Sequence, residues 1–430
     1  MALLLKGARV VDPSVGLDEI TDIIIRDGKI VEVGSGLSIE KGETRNMQGK
    51  VIVPGLVDLH VHLREPGQEL KEDIASGTRA AAAGGFTGVC CMPNTNPIID
   101  NALAVEFVKN AAALSGKCRL YVSGSCSQGL KGETLSDMGD MVAHGVSAFT
   151  DDGRGVQDAG MMRRVMDYAS MFNKVVMSHC QDEGLVGAGM VNEGVVSTRL
   201  GMLGWPAEGE ELQIMRDITI SRMTGCPLHI QHITTARGLE IVKAAKAEGV
   251  KVSCEVTPHH MFMCEDNIGE DYNTYLKVNP PLRTAEDAKA LIQGLIEGHI
   301  DCIATDHAPH TEWEKNCEFE IAAFGMTGSE TALASILTNL VLPGHITYAQ
   351  MVQLMSIAPR EILREEAVSI AKGNTADLTV FDPTIQWTVT KEGFVSKAVN
   401  SGFIGAEFTG RATDVYVGGY ATLQDGQIVE

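Results

Sequence analysis

Eight apolar, strand-like runs alternate with helical runs between about residue 51 and residue 340, and this alternation constrains the fold most strongly. The strand-like runs are, in order, VIVPGLVDLHVH, FTGVCCMP, CRLYVSGSC, GVSAFTDD, KVVMSHC, PLHIQHI, KVSCEVTPH and DCIATDHAP. The clearest helical runs are TRAAAAGG, AVEFVKNAAALSG, MMRRVMDYASMFN, ELQIMRDITISRMTG, GLEIVKAAKAEG and AEDAKALIQGLIEG. Near-continuous apolar strands separated by amphipathic helices are typical of a parallel α/β fold, whose strands are buried on both faces.

The count of eight strands predicts a (β/α)8 TIM-type barrel, and a doubly wound open sheet is the alternative. Polar residues follow strand after strand at the carboxyl end, as HVH, TDD, SH, QH and TDH. A barrel brings these ends together at one mouth, whereas an open sheet spreads them along an edge. The shared position of the polar residues therefore favours the barrel.

The two ends of the chain have a different pattern from the middle. Both contain short strand-like runs joined by Asp-Gly turns, and neither is long enough to form a core alone. We therefore expect one small, β-sandwich-like domain made from residues 1–52 and 366–430, beside a barrel domain over residues 53–365.

Composition limits the partners and the compartment. The net charge is −21, which argues against nucleic acids and anionic membranes as partners and means that an anionic substrate needs cations inside its pocket. No apolar run reaches the roughly 20 residues of a membrane helix, and the N-terminus does not resemble a signal peptide. The 10 cysteines include no CxxC pair and lie mostly in apolar runs, so we predict reduced, buried thiols in a cytoplasmic protein.

The polar residues at the strand ends are those that bind metals. His60 and His62 are two residues apart in a strand, so their side chains should share a face, and Arg64 follows at the same spacing. The other strand-end candidates are Asp151, Asp152, His179, His232, Asp306 and His307. Imidazoles and carboxylates together suit a divalent metal such as Zn²⁺. We interpret the histidines outside the mouth as structural or solvated: His144, His229, His299 and His345.

A carboxylate beside the metal would complete a hydrolytic site. A bound divalent ion makes water nucleophilic near neutral pH. Asp306, which follows the eighth strand, is the candidate to take a proton from that water and return it to a leaving nitrogen. These residues predict hydrolysis of an amide-like bond, or its reversal.

The full set of motifs resembles a known family. HxH, a strand-4 carboxylate, two further histidines and a final Asp resemble the amidohydrolase superfamily. The stretches DLHVHLREPG, GGFTGVCCMPNTNP, FTDDG, TPHH, KVNPPLR, ATDHAPH and KGNTADLTVFDP together resemble the dihydroorotase family, in its longer bacterial type. The resemblance spans almost the whole chain and implies reversible interconversion of N-carbamoyl-L-aspartate and L-dihydroorotate in pyrimidine biosynthesis.

The resemblance also implies residue roles. His60 and His62 would bind one zinc ion, His179 and His232 a second, and Asp152 would bridge the two. Asp306 would bind the first ion and act as the acid–base catalyst. The implied substrate-binding residues are His62, Arg64, Asn94, Asn279 and His310, with the backbone of Phe324 and Gly325.

Strand 4 departs from the superfamily pattern. Many members carry a carboxylated lysine there as the metal bridge, and this chain has FTDDG instead. Two zinc ions per subunit are expected, and one zinc ion is the alternative that the missing lysine leaves open. The choice of Asp152 over Asp151 rests on the motif alone, and since adjacent strand residues point in opposite directions, only one should face the metals.

Two other functions are consistent with parts of the sequence. A dihydropyrimidinase or an allantoinase would use the same metal site, but its ring lacks the carboxylate that Arg64 would bind. A non-catalytic scaffold for aspartate carbamoyltransferase would be expected to have lost metal ligands, which this chain retains. A homodimer is expected from general frequency, and an active enzyme could still bind the transcarbamoylase.

Overall fold

A computed structural model describes residues 2–430. Its strands are, in chain order, β1 Ala2–Asp12, β2 Leu17–Arg26, β3 Lys29–Gly34, β4 Gly42–Asn46, β5 Val51–Pro54, β6 Leu56–Val61, β7 Phe86–Cys91, β8 Arg119–Gly124, β9 Ala148–Phe149, β10 Val175–Ser178, β11 Val191–Asn192, β12 Gly204–Trp205, β13 Leu228–Ile230, β14 Val252–Val256, β15 Cys302–Ile303, β16 Leu378–Thr388, β17 Glu407–Val417, β18 Tyr420–Gln424 and β19 Gln427–Ile428.

The helices fall mainly between the strands of the middle region. They are α1 Ile74–Ala83, α2 Ala102–Ser115, α3 Met138–Ala143, α4 Ala159–Met171, α5 Glu183–Val186, α6 Val195–Leu200, α7 Ala207–Thr224, α8 Ala236–Ala247, α9 Pro258–Phe262, α10 Ala285–Ile296, α11 Glu312–Lys315, α12 Ser329–Ile336, α13 Tyr348–Val352 and α14 Ala358–Leu363. Helices α1, α2, α4, α7, α8 and α10 cover the six clearest helical runs of the sequence. Side-chain caps mark several of their starts, such as Asp73, which accepts a hydrogen bond from the Ser76 amide.

Eight parallel strands form the predicted barrel. Strands β6 to β10 and β13 to β15 are hydrogen-bonded in chain order into one eight-stranded sheet. The sheet closes where Val61 pairs in parallel with His307 and the His62 amide donates to the His307 carbonyl at 2.8 Å. The (β/α)8 fold is therefore confirmed, and the carboxyl ends of its strands share one mouth.

A buried aspartate ties the first and last barrel strands together. Asp58 on β6 accepts hydrogen bonds from the Thr305 amide at 3.0 Å, from the Thr305 hydroxyl at 2.6 Å and from the His60 amide at 3.2 Å. Burial raises the pKa of Asp58 to about 6, against the effect of these hydrogen bonds. The contact holds the backbone next to His60 and Asp306 at the seam of the barrel.

Both ends of the chain form a second sheet. Its nine strands run in the order β19-β18-β17-β16-β5-β1-β2-β3, with β4 paired to β1. The shared core contains residues from both ends, among them Val10, Ile23, Leu378 and Val380. The predicted Asp-Gly turns are present between β2 and β3 and between β18 and β19, where both residues of each turn have positive φ.

The first predicted strand is in fact two strands in two different sheets. Val51–Pro54 pairs with β16 in the terminal sheet, while Leu56–Val61 pairs with β7 in the barrel. The break is at Gly55, where an added Cβ would lie 2.1 Å from Thr87 Oγ1. A single apolar run conceals this switch because both segments are fully buried.

All ten cysteines are free, and eight of them are buried. Within residues 2–430, no helix is both long and apolar enough to cross a membrane.

Candidate functional site

Six of the predicted metal-binding side chains lie together, buried at the mouth of the barrel. His60 lies in β6 and His62 directly follows it, while the others follow β9, β10, β13 and β15. The six residues are His60, His62, Asp152, His179, His232 and Asp306. The strand-end pattern thus led to residues that the barrel brings together from five of its strands.

Three of these side chains, His60, His62 and Asp306, form one group. His62 Nε2 lies 3.0 Å from Asp306 Oδ1, and His60 Nε2 lies 3.5 Å from the same oxygen. Alternation along the strand directs both imidazoles to the same side. This group has three ligand atoms within one coordination-sized space.

Two further histidines form a second group next to the first. His179 Nδ1 and His232 Nε2 face each other at 3.0 Å. Asp152 lies between the groups, with Oδ1 at 3.2 Å from His60 Nε2 and 3.5 Å from His179 Nδ1. Its second oxygen lies 3.4 Å from His62 Nε2. One carboxylate therefore contacts both groups of histidines.

The neighbouring Asp151 points away from the histidines. Its carboxylate accepts hydrogen bonds from the backbone amides of Cys126 at 2.8 Å and Ser127 at 3.0 Å, and from the Ser127 hydroxyl. Burial raises the pKa of Asp151 to about 6, although these hydrogen bonds oppose the shift. Asp152 is the member of the pair that faces the mouth.

The arrangement fits a divalent metal ion. His60 Nε2 and Asp152 Oδ1 are both buried, and among residues 2–430 neither has a partner with hydrogen-bond geometry. Buried polar atoms are almost always satisfied, so this pair calls for a ligand. Imidazole nitrogens and carboxylate oxygens converging from several strands are donors suited to zinc.

The charge balance at the mouth also suits a cation. Burial disfavours the protonated form of His60, but the charges of Asp152 and Asp306 outweigh it and raise the pKa of His60 well above its usual value. Burial would likewise raise the pKa of Asp152, yet the facing histidines hold it well below its usual range. Carboxylates that favour a positive charge at this position favour a proton or a metal ion.

Glu255 contacts His60 of the first group, and sequence reasoning did not single it out. It lies in β14 and its carboxylate lies 2.8 Å from His60 Nδ1 and 3.1 Å from His229 Nε2. It also accepts from the His232 amide at 3.2 Å. The detectable signal was a lone acidic residue inside the apolar run KVSCEV, which requires a partner when buried. The other ring nitrogen of His229, Nδ1, lies 2.8 Å from Ser253 Oγ.

Arg64 reaches the mouth by a route that strand alternation does not describe. Strand β6 ends at Val61, and Arg64 has a φ of 62°, so it does not continue the register of His60 and His62. Its buried guanidinium donates from Nε to the Pro309 carbonyl at 3.1 Å, and Nη2 lies 3.2 Å from His310 Nε2. The expectation of a shared strand register was wrong, although Arg64 and His310 do meet.

His310 is held in its neutral form beside this arginine. Burial lowers the pKa of His310 to about 2, and nearby positive charges, with that of Arg64 the largest, act in the same direction. Its Nδ1 has no hydrogen-bond partner among the described residues. Since Nε2 lies 2.8 Å from the Phe324 carbonyl, the ring joins Arg64 to the segment that carries Gly325.

The remaining predicted substrate-binding residues lie around the two groups of candidate metal ligands. Asn94 Oδ1 lies 2.9 Å from His62 Nδ1. Asn279 Nδ2 donates to Gln181 Oε1 at 2.9 Å and lies 3.3 Å from His179 Nε2. Gln181, which sequence reasoning missed, also lies 3.1 Å from His179 Nε2.

The Phe324–Gly325 segment has a fixed backbone position. The Gly325 amide donates to the Lys277 carbonyl at 2.8 Å. Gly325 has a φ of 126°, and an added Cβ would lie 2.6 Å from Ala308 Cβ. Glycine is therefore required for the segment to pass this close to Ala308, in the loop that follows β15.

His307 does not join either group of candidate metal ligands. Its Nδ1 accepts hydrogen bonds from the amides of Gly328 at 3.2 Å and Ser329 at 3.4 Å, at the start of α12. Its Nε2 lies 3.6 Å from the buried Glu72 carboxylate. Adjacent Asp306 turns the other way, with a φ of 47°, and this left-handed conformation directs its carboxylate into the mouth.

Sequence comparison agrees with the site. Residues 49–237 match a family model described as Dihydro-orotase-like. The chain is 46% identical to a dihydroorotase of Trichlorobacter lovleyi over 420 residues, covering 97% of this chain and 98% of that one. It is 47% identical to a dihydroorotase of Ruminiclostridium cellulolyticum over 419 residues, covering 97% and 98%.

Solved structures share the architecture. An L-hydantoinase (dihydropyrimidinase) from Arthrobacter aurescens superposes with a TM-score of 0.89 at 25% identity, covering 100% of this chain and 97% of that one. A D-hydantoinase (dihydropyrimidinase) from Thermus sp. has a TM-score of 0.86 at 25% identity, covering 99% and 96%. The sequence is much more similar to the dihydroorotases than to these two hydantoinases. The chain belongs to the dihydroorotase family and is a hydrolase that acts on cyclic amides.

Proposed function

We propose that this enzyme interconverts N-carbamoyl-L-aspartate and L-dihydroorotate in de novo pyrimidine biosynthesis, with zinc at the barrel mouth. The observation that carries the substrate assignment is Arg64. Its guanidinium is buried, and within residues 2–430 no carboxylate lies within ion-pairing distance of it. A buried, unpaired guanidinium next to the metal ligands is a ready partner for an anionic group, and dihydroorotate carries a carboxylate.

We call the space beside Arg64 and His310 the carboxylate pocket. Its positive charge would offset the unfavourable effect of the net charge of the chain on binding of an anionic substrate. A net charge of −21 repels an anionic substrate at long range. After burial, the charges of Arg64, Lys315 and Lys71 are the next largest causes of the low pKa of His310, so three cations lie near this part of the mouth. Asn94, Asn279 and the backbone of Phe324 and Gly325 complete the proposed substrate contacts.

The metal ligands are assigned from the two groups and their shared carboxylate. His60, His62 and Asp306 would hold one zinc ion and His179 and His232 the other, with Asp152 between them. Contact of Asp152 with both groups supports two ions rather than one. Zinc bound there supplies Lewis acidity, which polarises the substrate carbonyl and makes water nucleophilic near neutral pH.

Asp306 is the proposed proton-transfer residue. Its carboxylate belongs to the first group, 3.0 Å from His62 Nε2, at the edge of the space left by the histidines. In ring opening it would take a proton from the attacking water and pass it to the departing ring nitrogen. In ring closure the same oxygen would remove a proton from the ureido nitrogen and give it to the departing hydroxyl oxygen, which leaves as water.

Replacing Arg64 with methionine tests the substrate assignment. Removing charge-assisted hydrogen bonds to a carboxylate costs about 1.5–3 kcal/mol, so kcat/KM for L-dihydroorotate should fall about 10- to 150-fold, mainly through KM. The matched control is Arg222→Met, since Arg222 pairs with Glu248 on the outer surface. Steady-state kinetics and zinc content would be measured on the same samples, with dihydrouracil as a second substrate.

The outcomes of this assay separate the candidate functions. Strong turnover of L-dihydroorotate that depends on Arg64 supports the proposal. Preferred turnover of dihydrouracil would replace it with the dihydropyrimidinase reaction and leave the metal site in place. Zinc binding without turnover of either ring would reject the proposed substrate.

Glu255→Gln should weaken metal binding without removing a direct ligand. Burial alone would raise the pKa of Glu255, but its histidine partners lower it to about 2, so it is charged at neutral pH. A carboxylate that orients a ligating histidine typically contributes 10- to 100-fold in metal affinity, and about that loss of zinc affinity is expected. Competition with a chromophoric chelator would measure it, with the outward-facing Glu240→Gln as control. Unchanged affinity would reject the supporting role.

Four predictions from the sequence concern properties other than the site. They are a homodimer, a cytoplasmic location, association with aspartate carbamoyltransferase, and the division into a terminal domain and a barrel domain. They stay predictions.

A further inference from the structure

A segment of the terminal sheet extends onto the barrel mouth. Strands β16 and β17 are antiparallel, and the residues between them leave the sheet after Val389, whose amide donates to the Ala406 carbonyl at 2.9 Å. We call residues 390–404 the mouth strap. Its Phe403 packs in a cluster with Ala334 of α12 and Phe262 of α9. The strap is therefore packed against the barrel helices as well as against the sheet from which it extends.

Two acidic residues of the barrel region accept hydrogen bonds from the first half of the mouth strap. Glu330 of α12 accepts hydrogen bonds from the amides of Val395 at 2.9 Å and Ser396 at 3.0 Å. The buried Glu72 accepts one from the Ser396 hydroxyl. These contacts fix where the strap approaches the mouth.

The second half of the strap places one asparagine between the two segments around the proposed carboxylate pocket. Asn400 is 2% exposed. Its Oδ1 accepts from the His310 amide at 3.1 Å, and its Nδ2 donates to the carbonyls of Ala308 at 3.2 Å and Gly325 at 3.1 Å. Its own carbonyl accepts from the Thr327 amide at 3.1 Å.

These four bonds join the loop that follows β15, which contains Ala308 and His310, to the Phe324–Gly325 segment. Arg64 depends on the same loop, because it donates to the Pro309 carbonyl and lies against His310. A carboxamide is suited to this position since it offers an acceptor to one amide and two donors to two carbonyls. An aspartate of the same shape would set a carboxylate oxygen against two carbonyls.

We propose that Asn400 is a positioning residue for substrate binding: the terminal domain, through the mouth strap, sets the geometry of the carboxylate pocket. Asn400 acts through His310 and Gly325 and not by direct contact with the reacting atoms. This inference rests on the proposed function. It predicts an effect on substrate binding that exceeds the effect on the chemical step, because the side chain of Asn400 bonds to His310, Ala308 and Gly325 and to none of the proposed metal ligands.

Asn400→Asp and Asn400→Ser test the inference, with Asn374→Asp as the matched control in the same terminal region. KM for L-dihydroorotate should rise at least about 10-fold in both Asn400 variants, with kcat within about 3-fold and zinc content unchanged, since misplacement of binding groups is expensive even when small. Hydrogen exchange should accelerate at the amides of His310 and Thr327. The control should match the native enzyme in all three measurements.

Two results would overturn the inference. One is a native KM together with native exchange at His310 and Thr327 in both variants. The other is an equal loss of kcat and zinc in soluble variants, which would indicate a general structural role. If the native enzyme fails to turn over L-dihydroorotate, the proposed function is rejected independently, and the exchange rates at the two amides then decide whether Asn400 holds the segments.

Discussion

Asp306→Asn will lower kcat for L-dihydroorotate about 10²- to 10⁴-fold at neutral pH, the usual range for loss of a general acid–base group. Asparagine has the same shape and can still face His62, but it cannot accept and return a proton at this position. The measurement is kcat with zinc content on the same sample. The expected result is a large loss of kcat with at least one zinc ion retained. If the loss of kcat is fully explained by loss of zinc, Asp306 is a metal ligand and not the acid–base catalyst.

The control for this variant is Asp266→Asn. Asp266 is an exposed residue that pairs with Arg199 at 3.2 Å, far along the chain from any proposed ligand. It should keep native kcat. A value of kcat within about 3-fold of native for Asp306→Asn, with zinc bound, would contradict the acid–base assignment.

The second large effect is expected at Asp152, with its sequence neighbour as the control. Asp152→Asn removes the carboxylate shared by both histidine groups, so zinc content should fall from two ions per subunit to one or fewer. Activity should fall at least about 100-fold, because even indirect support of a metal ligand is worth 10- to 100-fold. Zinc analysis by mass spectrometry and steady-state kinetics would measure both.

Asp151→Asn should have the opposite profile. Asp151 faces the Ser127 loop and not the histidines, so zinc content and kcat should stay near native. Burial of an imperfectly matched amide should instead lower the free energy of unfolding by about 1–3 kcal/mol, measurable by urea denaturation. Two zinc ions in Asp152→Asn, or loss of zinc in Asp151→Asn, would contradict the assignment of the shared ligand.

The sequence predicted the features that depend on local periodicity and on strand direction. The eight strand runs, the Asp-Gly turns, and the convergence of His60, His179 and His232 all follow from such patterns. A parallel barrel places the carboxyl end of every strand at one mouth. The residues that follow the strands could therefore be predicted to lie together before any contact was known. The switch of sheets at Gly55 was hidden, because buried segments of both sheets have the same composition.

The contacts that only the tertiary structure decided are long-range ones. Glu255 is 195 residues from His60, and Asn400 is 90 residues from His310, so no local spacing relates them. Arg64 itself has a left-handed backbone conformation and so leaves the register of the strand. The alternation of side chains along a strand does not predict this. The sequence by itself determined the barrel, the family and the set of candidate metal ligands, because these follow from strand pattern and residue type. The packing of distant segments decided which aspartate faces the histidines, how Arg64 meets His310, and that a segment between two strands of the terminal sheet reaches the mouth.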